Sequence, residues 1–133
     1  MSFIPFVHPY PIDDRYSKKV AYFSMEFALH QPLKIYSGGL GFLAGSHVRS
    51  AYELRQNMIF IGILWKYGYY DQARNQDQTL QVTWVEKQYP FLQDTGIKYQ
   101  ITIHDHPVWV KAYYLAPLTF NGAPLFLLST DLP

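Results

Sequence analysis

The stretch that decides the fold is IYSGGLGFLAGSH, residues 35–47, in which three glycines fall within four positions and residues with helical spacing follow at once. A helix N-terminus leaves backbone N–H groups unpaired and carries the positive end of the macrodipole, so glycines placed there let an anion reach the backbone. Glycines equally let a turn bend and a helix pack closely. SGGLG is neither the G-x-G-x-x-G fingerprint nor a Walker loop, and on the residues alone both readings stand. From Leu40 to Gln56 the spacing predicts a helix. Leu40, Leu43, Ala44, His47, Val48, Ala51 and Leu54 recur at three- and four-residue steps and make its expected buried face. Ser46, Arg49, Ser50, Glu53 and Arg55 take the other face. Gly41 and Gly45 lie four apart, and each costs such a helix up to about 1 kcal/mol. That cost asks for a compensating reason, in packing or in the approach of a ligand.

On the N-terminal side, VAYFS (20–24) is β-branched and aromatic and reads as a strand. MEFALH continues it as a strand end with a short turn or helix, and QPLKIYS (31–37) reads as loop. On the C-terminal side, MIFIGILW (58–65) is a near-continuous apolar run that suits a strand buried on both faces. Strand, glycine turn, helix and buried strand make one βαβ unit. After Asn75 the texture changes. TLQVTWVEK, IKYQITIHDH, VWVKAYYLA and PLFLLST alternate or are β-branched and predict mixed or antiparallel strands, with Asn121-Gly122 a candidate hairpin turn. Residues 1–19, with Pro5, Pro9 and Pro11, read as an extended lead-in. The fold class is therefore α/β.

Composition narrows the classes. With 49% apolar and 16% charged residues, the 133-residue chain reads as one folded domain with a modest core. A formal net charge of +1 gives no electrostatic case for nucleic acid or an anionic membrane. There is no cysteine, which excludes disulfides and thiolate metal sites. MSFIPFVHPYPIDD has no basic n-region or clean apolar core, and no apolar run is long enough to span a bilayer, so a cytoplasmic location is the expectation. Twelve tyrosines suit sugar stacking, but they suit ordinary cores and subunit contacts better.

Three further features carry polar or titratable groups. Glu26 is the one acid in an apolar stretch after the first strand. A carboxylate there needs partners such as the backbone N–H groups of the glycine turn, or else it is an ordinary exposed glutamate at a strand end. His104 and His106, two apart, would share one face of a strand and make half of a metal site. No third ligand is near and Pro107 follows at once, so surface or turn histidines are the better reading. Asp13, Asp14 and the basic residues near Lys66 show no pairing that spacing can support, and no Ser-His-Asp triad is evident.

VAYFSMEFALHQPLKIYSGGLGFLAGSHVRSAYEL (20–54) resembles the α-glucan phosphorylases, the glycogen and maltodextrin phosphorylase family. The likeness continues through IFIGILWKYGYYDQ and returns at PLFLLSTDLP; residues 20–74 match well, 124–133 more briefly and 75–107 poorly. The resemblance implies an incomplete N-terminal Rossmann-like domain over 20–133, one of the two domains of a type B glycosyltransferase fold. It implies release of glucose 1-phosphate from α-1,4-glucan by phosphate. It also implies pyridoxal phosphate, held on a lysine of the C-terminal domain and therefore not expected in this chain. By resemblance, Gly38 and Gly39 form the loop whose N–H groups face the phosphates, Leu40 borders the glucose subsite, Gly41 begins the helix aimed at them, and Glu26 supports the loop. No catalytic or metal-binding residue is expected here. The expected partners are glucan and phosphate, together with a second copy of the chain or a complementary C-terminal domain.

The sequence departs from the family pattern at Ser46, where the family has Asp, at Ala28, and at NQDQTLQVTW, which replaces a Gly-Trp-Gln segment. It ends at Pro133, before the region of the cofactor lysine, so an inactive N-terminal fragment is expected. The rival readings are a glycogen or starch synthase, whose G-G-L-G loop commonly follows a lysine where Tyr36 stands, and a non-catalytic module that binds glucan or a partner.

Overall fold

The two apolar runs that flank the glycine turn, Val20–Phe23 (β1) and Met58–Ile63 (β2), pair in parallel, with Val20 opposite Met58 and Phe23 opposite Ile61. They are joined through helix α1, Gly39–Glu53. The computed structural model describes residues 6–132; the first five residues of the lead-in, Pro5 among them, and Pro133 lie outside. The strands that follow are β3 (Asp71–Arg74), β4 (Leu80–Thr83), β5 (Gln93–Ile103), β6 (His106–Leu115) and β7 (Leu125–Ser129), with a short helix α2 (Pro117–Phe120) before the last. Five of them form one mixed sheet in the order β1-β2-β7-β6-β5, and β3 and β4 make a separate antiparallel ribbon. β7 joins β2 in parallel and β6 antiparallel. The chain is thus a mixed α/β structure with a parallel βαβ unit, as the sequence implies, and antiparallel strands grafted onto it.

The buried stripe of α1 differs from the one predicted. Gly41, Ala44, Gly45, Val48 and Ala51 face inward, whereas Leu40, Leu43 and Leu54 stand out at 72%, 60% and 44% exposure, and His47 is exposed too. The helix turns its smallest residues to the interior because the backbone of the 24–37 loop lies directly against it. A Cβ built on Gly45 would sit 2.1 Å from the Ala28 carbonyl oxygen, and the Ala28 N–H donates to the Gly41 carbonyl at 2.9 Å. The compensation for two helical glycines is therefore close packing. Beneath the helix, Phe27, Phe60, Leu125 and Leu127 are fully buried, with Leu29, Leu33 and Ile35 of the same loop closing the core.

Three other expectations are revised. MEFALH forms no helix; it is irregular, and its Phe27 is a core residue at 0% exposure. β2 is fully covered on one face only: Phe60 and Gly62 are buried, Gly62 against Phe27, while on the opposite side Ile59 and Ile61 are half-buried and Ile63 is 37% exposed. Asn121 is no hairpin turn. It caps α2 in the left-handed conformation (φ 51°, ψ 52°), returning the chain toward β7. The hairpin turn lies instead at His104 and Asp105, both with positive φ (47° and 62°), between β5 and β6. Two consecutive positive φ values are what a two-residue hairpin of the I′ kind requires.

Before β1, the chain crosses the start of β2. His8 Nε2 lies 3.0 Å from the Met58 carbonyl oxygen, and the Tyr10 hydroxyl donates to the Gln56 carbonyl at 3.0 Å. Burial, with Tyr114 and Tyr52 nearby, pushes the Tyr10 phenol up to about 12. A single 3₁₀ turn at Asp14–Tyr16 follows, capped by Asp13.

Candidate functional site

The glycine turn stands at the C-terminal end of β1, where the chain leaves the sheet and α1 begins. Gly38 is the N-cap, extended at φ −148°, and makes no side-chain hydrogen bond to the helix. The first helical bond there runs from the Phe42 N–H to the Gly38 carbonyl, at 3.3 Å. The N–H groups of Gly39, Leu40 and Gly41 thus have no acceptor within the helix. Neither Gly38 nor Gly39 has positive φ, and a Cβ built on either meets nothing within 4 Å. Backbone strain is therefore not why glycine stands at these two positions. Gly41 is a different case, since its Cβ would fall 2.8 Å from Tyr36 Cβ and 3.2 Å from Glu26 Oε2. The run of three glycines divides into two that face open space and one that fills a close contact.

Glu26 reaches this turn. Its Oε2 accepts the Ser37 N–H at 2.7 Å, with the Gly38 N–H and the Tyr69 hydroxyl each 3.5 Å away. The residue is held from behind: the Ser24 hydroxyl donates to the Glu26 carbonyl at 2.9 Å, and the Trp65 indole N–H donates to the neighbouring Met25 carbonyl at 3.0 Å. A half-buried carboxylate accepting a backbone N–H makes a charge-assisted bond, stronger than a neutral one. Replacing Glu26 by Ala should accordingly loosen the turn. Amide exchange at Ser37 and Gly38 should accelerate about tenfold or more, in keeping with the loss of a charged hydrogen bond worth about 1.5–3 kcal/mol, while β6 and β7 stay protected. Exchange followed by mass spectrometry checks this, and unchanged rates at those two residues would remove Glu26 from the turn.

Beside the turn lies a hollow of about 350 Å³ lined by Lys34, Tyr36, Ser37, Tyr69, Tyr70 and Asp71, among others. Sequence reasoning did not single out Tyr69 to Asp71; the dense aromatic run YGYYDQ (67–72), which leads into β3, was the available signal. The Lys87 ammonium pairs with the Asp71 carboxylate on one side of this ribbon. Lys66, for which spacing offered no partner, meets Asp131 of the STDLP segment at 3.0 Å, and that carboxylate pushes the Lys66 ammonium up from its ordinary value. Leu40, predicted to border a sugar, is exposed in the first turn of α1. His104 and His106 sit at and beside the hairpin turn, and no group of three or more His, Cys, Asp or Glu fit to hold a metal occurs among the described residues. None of the described helices is long and apolar enough to cross a membrane.

Chemically, the geometry is that of a parallel βαβ unit whose crossover helix opens on a glycine turn, with first-turn amides that have no acceptor within the helix, an arrangement able to accept an anion. No protein-family profile matches the chain. Over 127 residues it is 32% identical to the maltodextrin phosphorylase of Thermococcus litoralis (90% of this chain, 15% of the relative) and to the glycogen phosphorylase of Mycobacterium tuberculosis (86% and 14%). It is also 52% identical over 116 residues to an uncharacterized protein of Methanocaldococcus jannaschii (87% and 22%). The chain is homologous to the N-terminal region of the glycogen and maltodextrin phosphorylases. It spans between about a seventh and a fifth of the length of these relatives.

Proposed function

We propose that residues 20–133 form the first part of an N-terminal Rossmann-like domain of an α-glucan phosphorylase, of the two-domain type B glycosyltransferase architecture, and supply one wall of its substrate cleft. The observation that carries this reading is the open space over Gly38 and Gly39. Among the described residues nothing lies within 4 Å of a Cβ built at either position, and a side chain there would occupy the place where a ligand meets the helix amides. Gly39, Leu40 and Gly41 present backbone N–H groups to phosphate oxygens, Leu40 also borders the sugar, and Glu26, which takes the Ser37 N–H and lies 3.5 Å from the Gly38 N–H, holds the turn in register. In phosphorolysis a phosphate oxygen displaces the glucosidic oxygen at C1 of the terminal glucose, so negative charge must be held close to the sugar. A helix N-terminus does this without reorganising.

The pyridoxal phosphate implied by the family fits only in part. Its phosphate end suits a helix end of this kind, but Glu26, the side chain bonded into the turn, is an acid. None of the seven lysines stands in the family's lysine motif. When bound, the cofactor supplies a phosphate group that exchanges a proton with the substrate phosphate; this chain contributes the amides and the shape of the opposing wall. General acid, phosphate clamp and bound sugar must act together for turnover, and only the wall is here. The 133-residue chain should therefore release no glucose 1-phosphate from maltooligosaccharides and phosphate, and borohydride should fix no pyridoxal phosphate on it. Phosphorolysis by the pure chain, assayed by coupled reduction of a nicotinamide, would overturn the assignment of a single wall to these residues.

A further inference from the structure

The glycine turn is touched from a third part of the sequence, the turn that follows β2. The 24–37 loop leaves β1 along one limb, residues 24–29, and returns along a second, residues 33–37. The limbs meet where the Glu26 carboxylate takes the Ser37 N–H at 2.7 Å. Residues 65–69 reach both limbs. On the outgoing limb, the Trp65 indole N–H donates to the Met25 carbonyl at 3.0 Å. On the returning limb, Gly68 lies against backbone: a Cβ built on it would fall 2.3 Å from the Lys34 carbonyl oxygen and 3.2 Å from Lys34 Cβ. The Tyr69 hydroxyl then stands 3.5 Å from Glu26 Oε2, at the meeting point itself.

This turn is closed on itself and rooted elsewhere. The Gly68 N–H donates to the Trp65 carbonyl at 3.0 Å, and Gly68 has φ 59°, in the left-handed region. On either side of Trp65, the Leu64 N–H donates to the Leu128 carbonyl and the Lys66 carbonyl accepts the Lys87 N–H, both at 2.8 Å. The Lys66 ammonium meets Asp131 at 3.0 Å. The turn is therefore fixed to the end of β7 and to the segment beyond β4, independently of the limbs it touches.

We infer that residues 65–69 are a splint for the glycine turn, with Trp65 and Gly68 as positioning residues. They set the spacing of the two limbs, and with it the aim of the Glu26 carboxylate and of the amides that follow Ser37. Glycine at 68 meets two demands at once. Asparagine also tolerates a left-handed φ, but the approach to the Lys34 carbonyl leaves no room for any Cβ. The bearing of the splint on catalysis rests on the reading of SGGLG as a ligand-binding turn; the geometry it imposes is measured without a ligand.

Residue-resolved amide exchange by NMR on the 133-residue chain tests it. Gly68→Ala should speed exchange at Ser37 and Gly38 about tenfold or more, and Gly68→Asn should do the same, because the obstacle is the close approach. Trp65→Phe keeps a ring and removes only the indole donor. It should speed the same two amides about threefold or more, with β6 and β7 still protected. Gly96→Ala is the control: Gly96 has φ 70° but nothing within 4 Å of a built Cβ, so the cost of a strained φ appears there without change at Ser37 and Gly38. Trp65→Phe combined with Glu26→Ala should exchange no faster than Glu26→Ala alone, since both act through one hydrogen bond. A general loss of stability would instead multiply the two effects, and that result would overturn the splint. So would unchanged exchange at Ser37 and Gly38 in Trp65→Phe, the variant that decides if the Gly68 substitutions prevent folding. A mild Gly68→Asn beside a severe Gly68→Ala would trace the effect to φ and remove the Lys34 contact as its cause. None of these rates depends on phosphorolysis in a full-length relative, so the splint and the proposed function fail separately.

Discussion

Gly45→Ala should cost this chain most of its stability, about 3 kcal/mol or more in urea unfolding. The added methyl group would lie 2.1 Å from the Ala28 carbonyl oxygen and 2.8 Å from its carbon. The obstacle is backbone, so no rotamer change relieves it. Either α1 moves off the sheet, opening the contacts of Ala44, Val48 and Ala51, or the 24–37 loop is displaced together with Phe27 and Leu29. Against this stands the gain of replacing a helical glycine, about 1 kcal/mol at most. Gly39→Ala is the internal control. It faces open space, so only the small propensity term acts, and stability should change by less than about 1 kcal/mol. Equal stabilities for the two variants would show that α1 does not approach the loop as closely as described.

The second large effect belongs to a full-length relative such as the Thermococcus litoralis maltodextrin phosphorylase, at the position aligned with Gly39. On the proposed function, valine there should lower kcat/KM for phosphorolysis by about 10²-fold or more, comparable to losing one amide that stabilises transition-state charge. The melting temperature should hardly move. The expectation does not rest on strain, because Gly39 lies outside the left-handed region, where glycine alone is at ease. It rests on volume: an isopropyl group over Gly39 occupies the approach to the N–H groups. If turnover stays near normal while the fold is intact, the open space is not a ligand position and the functional reading of SGGLG fails.

These two glycines show what the sequence could and could not disclose. The βαβ unit was legible because its signals are local and mutually consistent: a β-branched strand, a glycine turn, a helical repeat and a second apolar run, in the order that parallel pairing needs. The stripe of α1 was legible at Ala44, Val48 and Ala51 and misread at Leu40, Leu43, His47 and Leu54, for a physical reason. Periodicity weighs side-chain hydrophobicity, whereas this helix buries Gly41 and Gly45, whose value is the backbone approach they permit. Their partner, the carbonyl of Ala28, carries no side-chain signature. The place of β7 between β2 and β6 was equally hidden, since pairing partners far apart in sequence leave no periodic trace. In the candidate site, residues close in sequence, Gly38 to Gly41, stood out. The ion pair of Lys66 with Asp131 and the wall formed by Tyr69, Tyr70 and Asp71 arise only when distant segments converge.

The strand order also dictates when the molecule can become itself during synthesis. Of the strands in this sheet among the described residues, β7 is made after all the others, yet it lies between β2 on one side and β6 on the other. Until Leu125–Ser129 leaves the ribosome, the βαβ unit and the β5–β6 hairpin are two separate pieces with no common hydrogen bonds in the sheet, each showing a raw inner edge. Joining Phe60 to Leu125 closes a long loop in one step, and a long-range pairing of this kind is slow to form. For that interval the edge of β2 that takes β7 is unpaired, and such an edge is open to pairing with another unfinished chain.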